Sequence, residues 1–93
     1  MLEDDFKKEV FDWASEVGVK PKEVHIRKMS KKWASCSTKG RVTFSSELLE
    51  KPIDFRNEVI AHELLHMRYK NHDKMFKAVL NAHLDKKNNV KIK

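Results

Sequence analysis

The 93-residue sequence is poor in the residues that crosslink or bend a chain, with one cysteine, two glycines and two prolines. A single cysteine, Cys36, excludes an intrachain disulfide and fits a reducing compartment. Two glycines exclude a glycine-rich loop that would cradle phosphate groups. No apolar run approaches the roughly 18 residues that span a bilayer, and the acidic N-terminus lacks the apolar segment of a signal peptide. These absences predict a cytoplasmic protein with no membrane partner.

Charge, by contrast, is abundant. Charged residues make up 37% of the chain, the net charge is +6 and glutamine is absent. Between residues 20 and 41, eight lysines and arginines are opposed by a single acid, Glu23. This excess permits a nucleic-acid or acidic partner, but a solvated basic surface explains it more simply, so nucleic-acid binding is not favoured. The absence of glutamine beside many lysines and glutamates favours a thermophilic source.

The hydrophobic pattern predicts one small domain over residues 1–93. Apolar residues three and four apart indicate helices, and alternation indicates strands. The predicted elements are a helix over 3–17, a strand over 24–29, a hairpin of 33–37 and 41–45, a short helical turn over 46–51, a helix over 55–70 capped by Asp54, and a helix over 74–85. The expected fold is α+β, a small, three-stranded, mainly antiparallel sheet covered on one face by an N-terminal, a middle and a C-terminal helix.

The segment with the most specific chemistry is H-E-x-x-H, residues 62–66, inside the predicted middle helix. Residues four apart lie on one face of a helix, so the imidazoles of His62 and His66 can bind one metal ion. Glu63 is turned by about 100° from His62 and can reach a water on that metal without being a ligand. Two neutral nitrogen ligands, a metal-bound water and a carboxylate base are what a zinc hydrolase needs.

A third metal ligand has two candidates. His72 follows His66 after five residues, beyond the predicted end of the helix, where a loop residue can fold back over the same metal. His83 lies about three turns farther along, on the next helix. The alternative for His83 is a structural histidine at the edge of the core.

Five segments that follow one another along the chain carry a further signal. They are Trp33-Ala34-Ser35-Cys36-Ser37, Lys39-Gly40-Arg41-Val42-Thr43-Phe44, the motif at 62–66, Asn71-His72-Asp73 and Phe76. Together they resemble the zincin metallopeptidases, above all the small minigluzincins and the catalytic cores of HtpX-like, YgjP-like and SprT-like proteins. The resemblance covers about residues 24–80, most of the chain. The resemblance implies one zinc ion per chain, with His62, His66 and His72 as ligands and Glu63 as general base. Most gluzincins use a later glutamate as third ligand; no glutamate follows Glu63 here, so a histidine must take that place.

The activity that the resemblance implies is that of a zinc-dependent endopeptidase acting on peptides or unfolded proteins through a metal-bound water activated by Glu63. The resemblance also implies that Trp33, Ala34, Ser35, Cys36 and Ser37 form an edge strand above the active-site helix. Free backbone groups on such a strand bind an extended peptide as an added strand. An ordinary hairpin strand is the alternative interpretation.

Two other functions stay open at this point. The rRNA-maturation endonuclease family has three histidines with the spacing of His62, His66 and His72, and the basic charge suits RNA. That family, however, lacks a glutamate at the position of Glu63. The other alternative is a zinc-stabilised binding module without catalysis, although three protein ligands leave the open fourth position of a catalytic site.

The C-terminal segment, residues 88–93, alternates Val90 and Ile92 with lysines in a pattern too short to form its own sheet. An unpaired edge strand at Trp33–Ser37 offers this segment a place to pair. We therefore expect the tail to cover the cleft and keep the enzyme latent as a zymogen, within one chain or by self-association of two. A frayed, lysine-rich terminus is the alternative.

Overall fold

Seven elements follow one another in this computed structural model, which describes residues 1–37, 39–69 and 74–88. They are helix α1 (Glu3–Val17), strands β1 (Glu23–Arg27), β2 (Ala34–Cys36) and β3 (Arg41–Ser45), a 3-10 helix (Ser46–Glu50), and helices α2 (Ile53–Leu65) and α3 (Lys74–Asn88). The predicted α+β class is confirmed. Within the described ranges, no helix combines the length and the apolar composition that crossing a membrane requires.

The three strands form a sheet in the order β1–β3–β2. The hairpin of β2 and β3 is antiparallel, as predicted, whereas β1 pairs parallel to β3 on its other side. The sheet is therefore mixed rather than mainly antiparallel. After β1, the connection over residues 28–33 leads the chain to the far edge of the sheet, where β2 lies. Strand β3 then fills the central position between β1 and β2.

One face of this sheet packs on the helices. Val42 and Phe44 of β3 are fully buried there. Because directly opposed residues share a face, the register places Cys36 beside Val42 and Ala34 beside Phe44 on this same helix-facing side. The opposite face carries polar side chains such as the partly exposed His25.

The core lies between the sheet and the three helices. Its buried apolar side chains are Phe6, Val10, Trp13, Ala14, Val17, Val24, Val42, Phe44, Leu48, Ile60, Ala61, Leu64, Leu65 and Phe76. Those of α1 recur at the three- and four-residue spacing that predicted the helix. The helix ends at Gly18, whose φ of +87° is left-handed and whose N–H donates to the Ala14 carbonyl at 2.8 Å.

Helix α2 begins and ends earlier than predicted. Pro52 precedes its first residue, Ile53, and Asp54 lies inside the first turn rather than at the cap. A proline suits this position because the first N–H groups of a helix have no intrahelical partner. At the other end His66 keeps a helical backbone as the C-cap, and the next residues form a tighter turn with bonds such as Arg68 N–H to the carbonyl three residues back, at 3.0 Å.

Three side-chain interactions fix α2 against α1. The indole N–H of Trp13 donates to Asn57 Oδ1 at 2.9 Å. The guanidinium group of Arg56 donates to both carboxylate oxygens of Glu9, at 3.1 and 3.0 Å. Just after α2, Arg68 Nη1 donates to the Val17 carbonyl oxygen at 2.9 Å. A two-pronged arginine–carboxylate pair and a buried indole–amide bond are directional interactions. Because they lie near both ends of α2, they limit rotation of the helix and so set the direction in which its histidines point.

Candidate functional site

The H-E-x-x-H residues lie together at the end of α2. The ring centroids of His62 and His66 are 4.8 Å apart, and the rings meet edge to face at 82°. A ligand atom from each histidine and a carboxylate oxygen of Glu63 all lie within 4.8 Å of one another. The four-residue helical spacing thus brings two imidazoles and one carboxylate to a single point.

These donors fit a zinc ion. Zinc–nitrogen bonds of about 2.0–2.1 Å place two nitrogen ligands of a tetrahedral ion roughly 3.4 Å apart, a separation that small ring rotations can produce here. Imidazole nitrogens with a carboxylate nearby form a donor set that zinc favours. Among the residues that the structure describes, His62, Glu63 and His66 are the group found with three such donors in reach of one ion.

The phenyl ring of Phe76, on α3, supports both imidazoles. Its centroid is 5.4 Å from that of His62, edge to face, and 5.2 Å from that of His66, at a tilt of 42°. Phe76 is only 1% exposed, so its position is fixed by the core. From the sequence Phe76 is known as part of the family resemblance, and helical spacing alone does not reveal its contact with the two histidines.

The two candidates for a third ligand differ in what the structure describes. His72, with its neighbours Asn71 and Asp73, lies outside the described residues. His83 is described and faces α1, where its Nδ1 is 3.9 Å from Glu16 Oε1 and its ring packs on Trp13 with centroids 6.4 Å apart. It does not belong to the donor group of α2, which leaves the structural interpretation of His83 as the better supported one.

Glu63 occupies an unfavourable place for a charge, since it is 8% exposed. Burial raises the pKa of its carboxyl group above the ordinary value, and the positive charge of Lys32 partly opposes that shift. A raised pKa moves a carboxylate toward the range where it accepts protons efficiently near neutral pH. The influence of Lys32 is a feature that sequence spacing does not reveal, because the two residues are 31 positions apart.

A groove of about 250 Å³ separates α2 from β2. Its lining residues are Trp33, Ala34, Glu58, Val59, His62 and Glu63. The structure therefore brings two of the five predicted edge-strand residues, Trp33 and Ala34, into the same groove as the H-E-x-x-H motif. Glu58 and Val59 were not identified from the sequence, yet they lie one helical turn before His62 and Glu63, so the four-residue spacing was a usable signal.

Strand β2 forms an edge of the sheet, because β3 is its neighbour on one side only. The Trp33 carbonyl accepts a hydrogen bond from β3 at 2.8 Å, and the Ser37 N–H donates one to β3 at 2.8 Å. Backbone groups of alternate residues point to opposite sides of an antiparallel strand. Those of Ala34 and Cys36 therefore point away from β3, toward the free edge.

The side chains of Ser35 and Cys36 point to opposite faces of the sheet. Ser35 lies opposite Thr43 on the polar face, whereas Cys36 lies on the helix-facing side and is half-buried. Burial, followed by the negative charge of Glu63, raises the pKa of the Cys36 thiol. The thiol is thus held protonated and close to Glu63, in keeping with a small packing residue.

Comparison with known proteins agrees with this geometry. A family model described as the YgjP-like metallopeptidase domain matches residues 1–92. The fold is similar to the crystal structure of the metallopeptidase zymogen of Pyrococcus abyssi abylysin, with a TM-score of 0.69 and 20% sequence identity, over 81% of this chain and 75% of that one. At this identity the likeness extends to the fold alone. No curated protein matches the sequence.

Proposed function

Because the chain belongs to the YgjP-like metallopeptidase family, we propose that it is a zinc-dependent endopeptidase whose active site is the groove between α2 and β2. The observation that carries this proposal is the position of the His62, Glu63 and His66 donors, which meet within 4.8 Å, with His62 and Glu63 on the wall of that groove. A metal site that only stabilises the fold has no need of a neighbouring groove or of a buried carboxylate.

In this proposal, His62 and His66 hold one zinc ion per chain through their imidazole nitrogens, and His72 is the third ligand. The contacts of Phe76 keep the first two rings in place. The His83 side chain lies beside Glu16, and this position supports His72 over His83 as the third ligand. When bound, the zinc ion would polarise the carbonyl of the cleaved peptide bond and lower the pKa of a water molecule.

Glu63 moves the proton. Its carboxylate accepts a proton from the attacking water and then passes a proton to the amine that leaves when the peptide bond breaks. The burial that raises its pKa suits both halves of this transfer, since the group must gain the proton and later release it.

The free edge of β2 binds the substrate. An extended peptide bonds to the outward backbone groups of Ala34 and Cys36 and continues the sheet by one strand. This orientation holds the peptide across the groove, in front of His62 and Glu63. Main-chain binding of this kind requires an unfolded or flexible segment, so we infer that the substrates are peptides and unfolded proteins.

An assay with two substrate classes tests the proposed function. The zinc-loaded protein is incubated with an unfolded protein and, separately, with a labelled structured RNA, each with and without a chelator. We expect cleavage of the protein that stops with chelator and returns on adding zinc. Chelator-sensitive cleavage of RNA alone would overturn the proposal in favour of the ribonuclease alternative. Stable zinc binding without either activity, both in the full chain and in a chain that lacks residues 88–93, would favour the binding module.

We also propose that the C-terminal segment keeps the enzyme latent, by pairing with the free edge of β2 in the same chain or in a second copy. Residues 89–93 lie outside the described residues, and the support is indirect. The fold is similar to that of a metallopeptidase zymogen, and α3 ends at Asn88, just before the strand-like pattern of Val90 and Ile92 begins.

Deletion of residues 88–93 is expected to raise peptidase activity, because it frees the edge that the substrate needs. Zinc content and melting temperature should stay nearly unchanged, since none of the deleted residues is proposed as a zinc ligand or as part of the core. A full-length chain with Val90→Ser and Ile92→Ser should show the same rise if apolar pairing holds the tail. A truncated protein no more active than the full chain would end the latency hypothesis.

A further inference from the structure

A second cavity adjoins the groove at its Trp33 end. It has a volume of about 280 Å³. Its lining residues are Met29, Ser30, Lys31, Lys32, Trp33 and Glu47. Trp33, the residue before β2, lines both cavities, so the two adjoin there. The proposed peptidase mechanism makes no use of this second cavity.

The two cavities differ in charge. Glu58 and Glu63 line the groove, whereas the second cavity has two exposed lysines, Lys31 and Lys32, and one acid, Glu47. A third ammonium group, Lys51 Nζ, lies 5.4 Å from the centroid of the Trp33 ring. The Trp33 end of the cleft is therefore positive, whereas the charged side chains that line the groove itself are two carboxylates.

A peptide bound to β2 and continued past Ala34 would approach the second cavity. Ala34 lines the groove with His62 and Glu63, and Lys32 lies two residues earlier, in the segment that leads into β2. Two residues of an extended peptide cover about 6.6 Å. A substrate side chain two or three residues from the cleaved bond is thus placed near the second cavity.

We propose that this second cavity is a subsite for an acidic side chain, so that the enzyme prefers substrates with aspartate or glutamate two or three residues from the cleaved bond. The inference rests on the proposed peptidase function and names its substrate class. Lys31 and Lys32 supply the attraction, and the Trp33 ring supplies an apolar wall for the methylene groups of the side chain. Glu47 weakens the attraction without cancelling it, because the cavity is lined by two lysines and this one acid.

Three matched peptides test the subsite. They differ only in carrying glutamate, glutamine or lysine at one position, and one set is made for each side of the cleaved bond. We expect kcat/KM for the glutamate peptide to exceed that for glutamine by about 3–10-fold on one side, since each exposed ion pair contributes up to about fivefold. The preference should shrink in high salt, which screens exposed charges.

Two variants with the same change in net charge separate the subsite from a general charge effect. Lys32→Glu should reverse the preference toward the lysine peptide. Lys20→Glu should keep the wild-type preference, because Lys20 is an exposed residue before β1, at the opposite edge of the sheet. The ratio between peptides is compared, rather than absolute rates, because the charge of Lys32 also acts on Glu63.

The possible failures are distinguishable. Cleavage of all three peptides at equal kcat/KM would overturn the subsite while leaving the peptidase function intact, and so would an equal effect of Lys20→Glu and Lys32→Glu. Binding of the same peptides to the zinc-loaded Glu63→Gln variant, measured by fluorescence anisotropy, gives a readout without catalysis. Preferential binding of the glutamate peptide by this variant, with no cleavage of any of the peptides by the wild type, would support the subsite and overturn the peptidase function.

Discussion

We expect the Glu63→Gln variant to lose peptidase activity by about 10²–10⁴-fold, the range that a general base contributes. Glutamine keeps the shape of the side chain and its hydrogen-bonding oxygen but cannot take the proton of the attacking water. Its zinc content should remain at about one ion per chain, because Glu63 is proposed to act beside the metal and not on it. The measurements are kcat/KM on an unfolded protein and metal analysis of the same sample.

The matched control for this experiment is Glu58→Gln, which removes the same charge from the same groove, five residues earlier on α2. Its loss of activity should be far smaller, since Glu58 is not among the donors that meet at one point. Loss of zinc in Glu63→Gln would identify Glu63 as a ligand and refute its role as base. Equal activity in wild type and Glu63→Gln would refute the mechanism altogether.

A stability measurement on the metal-free protein accompanies this test. Because burial raises the pKa of Glu63 in the folded chain, the folded state binds its proton more tightly than the unfolded state does. The wild type therefore loses stability as pH rises from 4.5, the ordinary pKa of a glutamate side chain, through the raised pKa of the folded state. Glu63→Gln should melt at a higher temperature than wild type above that window, and the difference should vanish below it. No such difference would show that burial does not penalise the charge.

Much of the fold was predictable because amphipathic spacing is a local property. The three- and four-residue spacing of Phe6, Val10 and Trp13 predicts both helix α1 and its buried face. Alternation along β3 likewise predicts which of its side chains are buried. The parallel direction of β1 was not predictable in this way. Alternation assigns a strand's faces, but it carries no information about which neighbour the strand pairs with. Here β1 and β3 are joined through residues 28–40, a length that permits a parallel crossover.

In the candidate site, too, the local part was predictable from the sequence and the contributions of distant elements were not. His62, Glu63 and His66 come from one helix, so their geometry follows from 3.6 residues per turn. The other contributions come from different elements. Phe76 reaches the two imidazoles from α3, and Lys32 acts on Glu63 from the loop before β2. Contacts of this kind depend on how the helices and the sheet pack, which no spacing within the sequence encodes.

Removing a zinc ligand should lower both metal content and stability. We expect His62→Ala and His66→Ala to fall from about one zinc ion per chain to near none, since each leaves too few ligands for tight binding. Zinc at 100 times its Kd stabilises a protein by about 2.7 kcal/mol, which is on the order of 10–20 °C in Tm for a domain of this size. That zinc-dependent rise in Tm should disappear in both variants, as measured by calorimetry with and without zinc.

Three further histidine variants make the assignment specific. His25→Ala is the matched control, because His25 lies on the opposite face of the sheet, where its Nε2 pairs with Glu23 at 2.9 Å; it should keep full zinc and the full rise in Tm. His72→Ala should behave like His66→Ala, and His83→Ala should keep its zinc. Full zinc in His72→Ala together with loss of zinc in His83→Ala would identify His83 as the third ligand. A His66→Ala protein that binds zinc as tightly as wild type would contradict the metal site itself, since its imidazole is one of the donors that meet within 4.8 Å.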